Sequence, residues 1–300
     1  MYCDHYGLIR QPFEMTPDPA FLYLGETHRE GLATLVYGVQ SGKGFVVLTG
    51  EVGTGKTTLV HALLNQQLDH DTASAFIFNP RLEPLDFFRI MFDEYGIEEP
   101  CRTKAEYLLA LNLFLIERLS HNQKTLLIID EAQTLSPTML EEVRLLSNLE
   151  TPTSKLIQII LVGQPELNDM LAQPKLRALR QRIVLRHHLM PFNQKELDAY
   201  INERLSLAGY TGRGLFKGSA RKAIFNVTGG VPRLVNIVCD GALLAGYGRR
   251  LTSIGADLIR EVADDLYLSG EKGEFEADPA AEGSAQAPKR RGWLRRLTRR

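Results

Sequence analysis

FVVLTGEVGTGKTT, residues 45–58, joins an apolar run to a glycine-rich turn and then to a helical pattern. Phe45, Val46, Val47 and Leu48 read as a buried strand, and Leu59, Val60, Ala62, Leu63 and Leu64 continue as a helix. Between them Gly50-Glu51-Val52-Gly53-Thr54-Gly55-Lys56-Thr57 spells G-x-x-x-x-G-K-T in the strand–turn–helix setting that this pattern requires. Glycines at 50, 53 and 55 let the backbone curl until successive N–H groups converge on phosphate oxygens. The positive end of the helix starting near Lys56 adds to the same field. Lys56 can reach the β and γ phosphates as a point charge, and the Thr57 hydroxyl can hold Mg²⁺. Residues 50–58, Thr58 included, are therefore expected to bind a nucleoside triphosphate.

Working outward, Thr125-Leu126-Leu127-Ile128-Ile129 is a second apolar run, and it ends in Asp130-Glu131. In a parallel α/β sheet ligands gather at the carboxyl ends of strands, where these two side chains would emerge. Asp130 can then hold the hydration shell of Mg²⁺, and Glu131 can polarise the attacking water. Ala73–Phe78 and Ile157–Val162 read as further buried strands, the first closed by Asn79-Pro80, the second by Gly163-Gln164-Pro165. A polar amide at that tip, Gln164, can sense the γ-phosphate or position water. Pro84–Tyr95 and Lys104–Leu119 have amphipathic helical patterns. Arg177, Arg180 and Arg182 precede a last core strand, Ile183–Leu185, as a solvated face or as a source of charge for a neighbouring subunit's nucleotide.

The flanks differ from this core. Prolines at 12, 17 and 19 exclude a helix there and suggest an extended arm, followed by a helix over Glu26–Gln40. Phe13, Phe21 or Tyr23 of that arm can line a base pocket, or the arm can simply cap the domain. From Gln194 to about Leu268 the patterns are helical only, separated by Gly209–Gly214, Gly229-Gly230 and Arg249–Ser253. Gly229-Gly230-Val231-Pro232-Arg233 ends one helix and starts another, displaying Arg233 at an N-terminus where an anionic partner would be welcome. The organisation expected is an arm and helix (1–40), an ATPase-like core (41–190), a helical lid (191–268), and a linker with a basic tail (269–300).

Composition limits the remaining classes. With 300 residues, 44% of them hydrophobic and 24% charged, the chain suits a globular protein with a sizeable core. A net charge of −1 gives no global attraction to nucleic acid or membrane, so any such attraction must be local. Three scattered cysteines show no metal-ligand spacing and fit a reducing compartment. No apolar run reaches the length of a membrane span, so a cytoplasmic location, peripheral at the inner membrane, is expected. Residues 271–288 have the composition of a disordered linker. Lys289 to Arg300 carries seven basic residues around Trp293, Leu294 and Leu297. It reads as a reversible anchor on an anionic membrane surface, or equally as a solubilising or nucleic-acid-binding tail.

Taken together, the phosphate loop, Asp130-Glu131, Gln164, the arginines at 177–182 and Gly-Gly-x-Pro-Arg resemble an AAA+ ATPase. The opening, with Tyr6-Gly7-Leu8, Pro12-Phe13, Thr16-Pro17-Asp18-Pro19, Phe21-Leu22-Tyr23-Leu24 and His28, is similar to the general secretion pathway protein A (ExeA-type) family and its pilus and exopolysaccharide relatives. The resemblance covers about residues 1–268 and implies a three-layer α/β fold with a parallel five-stranded sheet in order 5-1-4-3-2 under a helical lid. It makes Lys56 and Thr57 Walker A, Asp130 and Glu131 Walker B, Gln164 sensor 1 and Arg233 sensor 2. Arg182 or Arg180 would be a finger acting in trans, Arg182 preferred for its place directly before the last core strand. Mg²⁺-dependent ATP hydrolysis by an ATP-dependent oligomer follows, serving an envelope-assembly partner in secretion, pilus or exopolysaccharide export. Full-length secretion members continue through a transmembrane helix into a peptidoglycan-binding domain; without one, work on the cytoplasmic face is expected here. Two other classes stay open: a DNA-associated helper similar to transposition ATPases, and a slow nucleotide-dependent switch.

Overall fold

Every residue of strand β1 (Phe45–Gly50) is buried, and its side chains alternate between two hydrophobic layers. Phe45 and Val47 face one layer, and Val46 and Leu48 face the other. The computed structural model describes residues 2–15, 21–67, 71–78, 82–266 and 268. Thr16-Pro17-Asp18-Pro19, Asn79-Pro80, the 271–288 linker and the Lys289–Arg300 tail lie outside the described residues.

In chain order, α1 (Tyr2–Tyr6) and α2 (Glu26–Gln40) precede β1, and α3 (Lys56–Ala62) follows it, running into a π-helical turn, Leu63–Gln67. Next come β2 (Ala73–Ile77), α4 (Pro84–Tyr95), α5 (Lys104–Ser120), β3 (Thr125–Ile129), α6 (Pro137–Leu146) and β4 (Gln158–Gly163). α7 (Glu166–Ala172), α8 (Arg177–Arg180) and β5 (Ile183–Leu189) complete this part. Four helices end the described chain: α9 (Gln194–Leu207), α10 (Gly218–Thr228), α11 (Pro232–Gly248) and α12 (Ala256–Asp265).

The five strands form one sheet in the order β2-β3-β4-β1-β5, all pairs parallel. Read from the other edge this is 5-1-4-3-2, the order the resemblance implies. Helices α4 to α8 cover one face with Phe87, Phe88, Met91, Leu111, Leu140 and Leu167, all fully buried. Helices α2 and α3 cover the other with Leu35, Val39, Leu59 and Val60. Each such side chain contributes about 1.5–3 kcal/mol through removal from water. Local signals set the helix ends. Thr103 and Glu106 form a capping box on α5, as Asn193 and Glu196 do on α9. Pro84, Pro137 and Pro232 occupy first helical turns, where a missing N–H costs nothing.

Two elements differ from the sequence reading. β5 runs on to Leu189 instead of stopping at Leu185, because an edge strand needs one apolar face only. Leu185 packs with the α2–α3 layer, while Val184 on the opposite face is exposed. The polar residues Arg186, His187 and His188 hid that continuation. The second difference is at the N-terminus, where α1 precedes the prolines. Tyr2, Tyr6, Leu8 and Phe13 bury themselves among α9–α12, not against the sheet. Buried Arg204 of α9 holds this segment by donating to the carbonyls of Pro12 and of Glu14, the latter at 3.3 Å. Its guanidinium lies 4.6 Å from the centre of the Phe21 ring. The sequence reading set residues 1–40 apart as an arm and helix; in the structure α2, with the nearby Leu22 and Leu24, packs with the sheet layer.

Candidate nucleotide site

The loop after β1 turns on Gly53 and Gly55, whose φ values of 81° and 99° lie in the left-handed region. Gly53 must also lack a side chain: a Cβ there would come within 2.7 Å of Arg233 Cβ. Thr54 Oγ1 braces the loop by donating to the Glu51 carbonyl at 2.8 Å. Lys56 is buried and folds back, its Nζ donating to the carbonyls of Gly50 at 2.7 Å and Glu51 at 2.9 Å. Burial lowers its pKa, and the carboxylates of Glu131, Asp130, Glu51 and Glu166 pull in the opposite direction. A cation so placed is ready to exchange carbonyl partners for phosphate oxygens.

At the tip of β3, Asp130 is buried and accepts from Thr57 Oγ1 at 2.8 Å through Oδ2. Its Oδ1 accepts the Glu131 N–H at 2.9 Å. Among the described residues no group of three or more His, Cys, Asp or Glu side chains assembles around a common point. The protein thus offers a pair of hard oxygens, Thr57 Oγ1 and Asp130 Oδ2, and not a closed metal cage. That donor set fits Mg²⁺, which binds few protein oxygens and keeps phosphate and water for the rest.

Glu131 has φ 52°, a left-handed conformation costing a non-glycine residue about 1 kcal/mol or more. Its Oε2 accepts from Gln133 Nε2 at 2.5 Å and from Gln164 Nε2 at 3.1 Å. The strand tips of β3 and β4 therefore bring Asp130, Glu131 and Gln164 together beside Lys56 and Thr57. Arg233 joins them from α11: its backbone N–H donates to the Gly53 carbonyl at 3.2 Å. Gly230 allows this approach, since a Cβ there would fall 1.9 Å from the Phe192 carbonyl oxygen.

These elements enclose a cavity of about 700 Å³, within the usual range for a small-molecule site. Thr57, Thr58 and Val52 line it with Phe21, Tyr23 and Arg233. Phe13 does not reach the cavity; it sits in the core of the C-terminal helices. Arg182 and Arg180 are not brought to the site of their own chain. Ile183 pairs with Phe45 while Leu189 pairs with Gly50, so the arginines lie at the opposite end of the sheet.

Sequence reasoning gave two residues of the site no role. Gln133 carries no motif signal beyond its place two positions after Glu131. His28, quoted only as part of a signature, lines the cavity and is 4% exposed. Its Nε2 lies 2.9 Å from the Thr54 carbonyl, which can only accept, so Nε2 carries the proton. Burial lowers the pKa of His28 and so favours the neutral ring, with the bond to Thr54 acting in the other direction.

A protein-family profile described as "AAA domain" matches residues 39–171. General secretion pathway protein A of Aeromonas hydrophila is 45% identical over 252 residues, covering 83% of this chain and 45% of that protein. The chain thus spans less than half the length of that relative. Among solved structures, Cdc6p from Pyrobaculum aerophilum is 18% identical, covers 85% of this chain and 70% of its own, and superimposes with a TM-score of 0.66. The ORC2 protein of Aeropyrum pernix, solved as ADPNP–ADP complexes, is 18% identical over 85% of this chain and 71% of its own, with a TM-score of 0.60. At such identities these structures speak to the fold. Among the described residues no helix is long and apolar enough to cross a membrane. Residues 39–171 thus match an AAA domain, set in a P-loop fold like that of these structures, and the chain is similar to general secretion pathway protein A over 83% of its own residues.

Proposed function

We propose that this chain hydrolyses ATP with Mg²⁺ and couples turnover to the assembly or operation of a bacterial cell-envelope system. The observation that carries the reading is the Thr57 Oγ1–Asp130 Oδ2 contact of 2.8 Å, which joins two separate motifs beside the phosphate loop. Thr57 and Asp130 would hold the ion, whose charge offsets that of the transferring phosphoryl group. Lys56 and the N–H groups of residues 50–58 bind the β and γ phosphates, and Arg233 approaches them from the lid. Glu131 accepts a proton from water as its oxygen attacks the γ phosphorus. The bond to the β–γ bridging oxygen breaks with its electron pair, and ADP and phosphate leave. Gln164 orients that water from the tip of β4.

Arg182, or its neighbour Arg180, acts on the nucleotide of an adjacent copy in an ATP-dependent oligomer. Ile183 and Leu189 are separated by six strand steps, roughly 20 Å, too far for Arg182 to serve its own nucleotide. The similarity to general secretion pathway protein A favours secretion, with pilus and exopolysaccharide export as related settings and an envelope-assembly protein as partner.

Two substitutions test the reading. Lys56→Ala should lose affinity for a fluorescent ATP analogue. Glu131→Gln should keep that affinity but hydrolyse ATP about 10²-fold or more slowly. Turnover by Glu131→Gln at the unsubstituted rate would overturn the assignment.

A further inference from the structure

Gln133 lies outside both phosphate-handling motifs, yet both ends of its side-chain amide are engaged at the reaction centre. Its Oε1 accepts the backbone N–H of Gln164 at 3.0 Å, and its Nε2 donates to Glu131 Oε2 at 2.5 Å. The amide orientation is dictated by its partners. A backbone N–H only donates and a carboxylate only accepts, so turning the amide over would oppose donor to donor and acceptor to acceptor. Gly163 leaves room for the arrangement: a Cβ there would come within 2.7 Å of Gln133 Oε1.

The two amides converge on one oxygen. Gln164 Nε2 adds its 3.1 Å bond to the same Oε2, while Oε1 of Glu131 accepts no hydrogen bond from the described residues. The main chain is held separately, since the Glu131 carbonyl accepts from Thr134 N at 2.9 Å and from Thr134 Oγ1 at 2.8 Å. A carboxylate fixed in this way presents one saturated oxygen and one free one. Only the free one can take a proton from water.

We propose that Gln133 is a positioning residue for hydrolysis: it anchors Oε2 of Glu131 so that Oε1 meets the attacking water, and ties that orientation to the tip of β4. This rests on Glu131 being the proton acceptor. Because one amide spans Glu131 and the Gln164 backbone, any shift of the β4 tip on contact with the γ-phosphate is passed directly to the carboxylate.

Gln133→Met keeps the length and removes both bonds; Gln133→Glu keeps the shape and removes the donor. Both should lower kcat about tenfold or more in the full chain, with the Kd for a fluorescent ATP analogue changed less than about twofold and the melting temperature retained. Single-turnover rates then separate positioning from scaffolding. In a Glu131→Gln background Gln133→Met should cause no further loss, whereas a general packing defect would lower both backgrounds alike. Unsubstituted kcat in both Gln133 variants, or equal losses in both backgrounds, would overturn the inference while leaving Glu131 as the base. If Glu131→Gln itself turns over normally, the parent reading fails and this one with it.

Discussion

Arg182 donates through Nη1 to Ser147 Oγ, a bond that parks the guanidinium at the end of the sheet away from the phosphate loop. Glu141 and Glu150 lie close enough for their carboxylate pKa values to be lowered in part by the Arg182 charge, after the larger effects of Arg144 and Lys155 respectively. The side chain is thus partly exposed and bound to one neutral partner, which an adjacent copy's nucleotide would have to replace.

Specific activity is accordingly expected to rise with protein concentration. A finger arginine contributes on the order of 10³-fold in rate, so Arg182→Ala should be nearly inactive alone. Mixed with Lys56→Ala, it should regain turnover at interfaces where an intact loop meets an intact arginine. Steady-state ATPase assays over a dilution series check this. A rate per subunit that ignores concentration, with no recovery in the mixture, would rule out action in trans.

His28 gives the fold a pH dependence of defined sign. Burial sets its folded pKa below the unfolded value of about 6.5, so as pH falls the unfolded chain binds its proton first. The stabilising contribution is full above that unfolded value and is lost as pH drops towards the lower folded one. His28→Gln retains a donor for the Thr54 carbonyl but does not titrate. Between about pH 7 and about pH 5 the parent should therefore lose more melting temperature than the variant. Parallel curves would mean that His28 is not the source.

The tail at residues 289–300 has Trp293 as the chain's sole tryptophan, so its emission reports on that segment alone. Each basic residue near an anionic surface is worth about 1 kcal/mol, which favours a reversible membrane anchor. A blue shift with anionic vesicles, absent with neutral ones and reversed by salt, is the expected result. A shift produced only by DNA would instead mark the tail as a nucleic-acid contact.

The candidate site was legible wherever chemistry and chain order coincide. Gly50 to Thr57 occupies consecutive positions, and Asp130-Glu131 ends an apolar run, so each is visible without knowing what lies across from it. Gln133 was not, because its meaning depends on Gly163 and Gln164, which the parallel pairing of β3 with β4 brings alongside. The same holds for Phe13, whose partner ring, Phe216, sits 5.9 Å away but two hundred positions on. For β5 the obstacle was different: an edge strand with one exposed face does not announce itself as an apolar run.

The packing of the N-terminal segment has a mechanical consequence. Phe13 packs among the C-terminal helices and Leu22 with the sheet layer, while Leu189 packs with the sheet layer and Phe192 among those helices. Both junctions reach the cavity wall, the first through Phe21 and Tyr23 and the second through Phe192. A molecule held in that cavity would therefore touch both of these junctions at once.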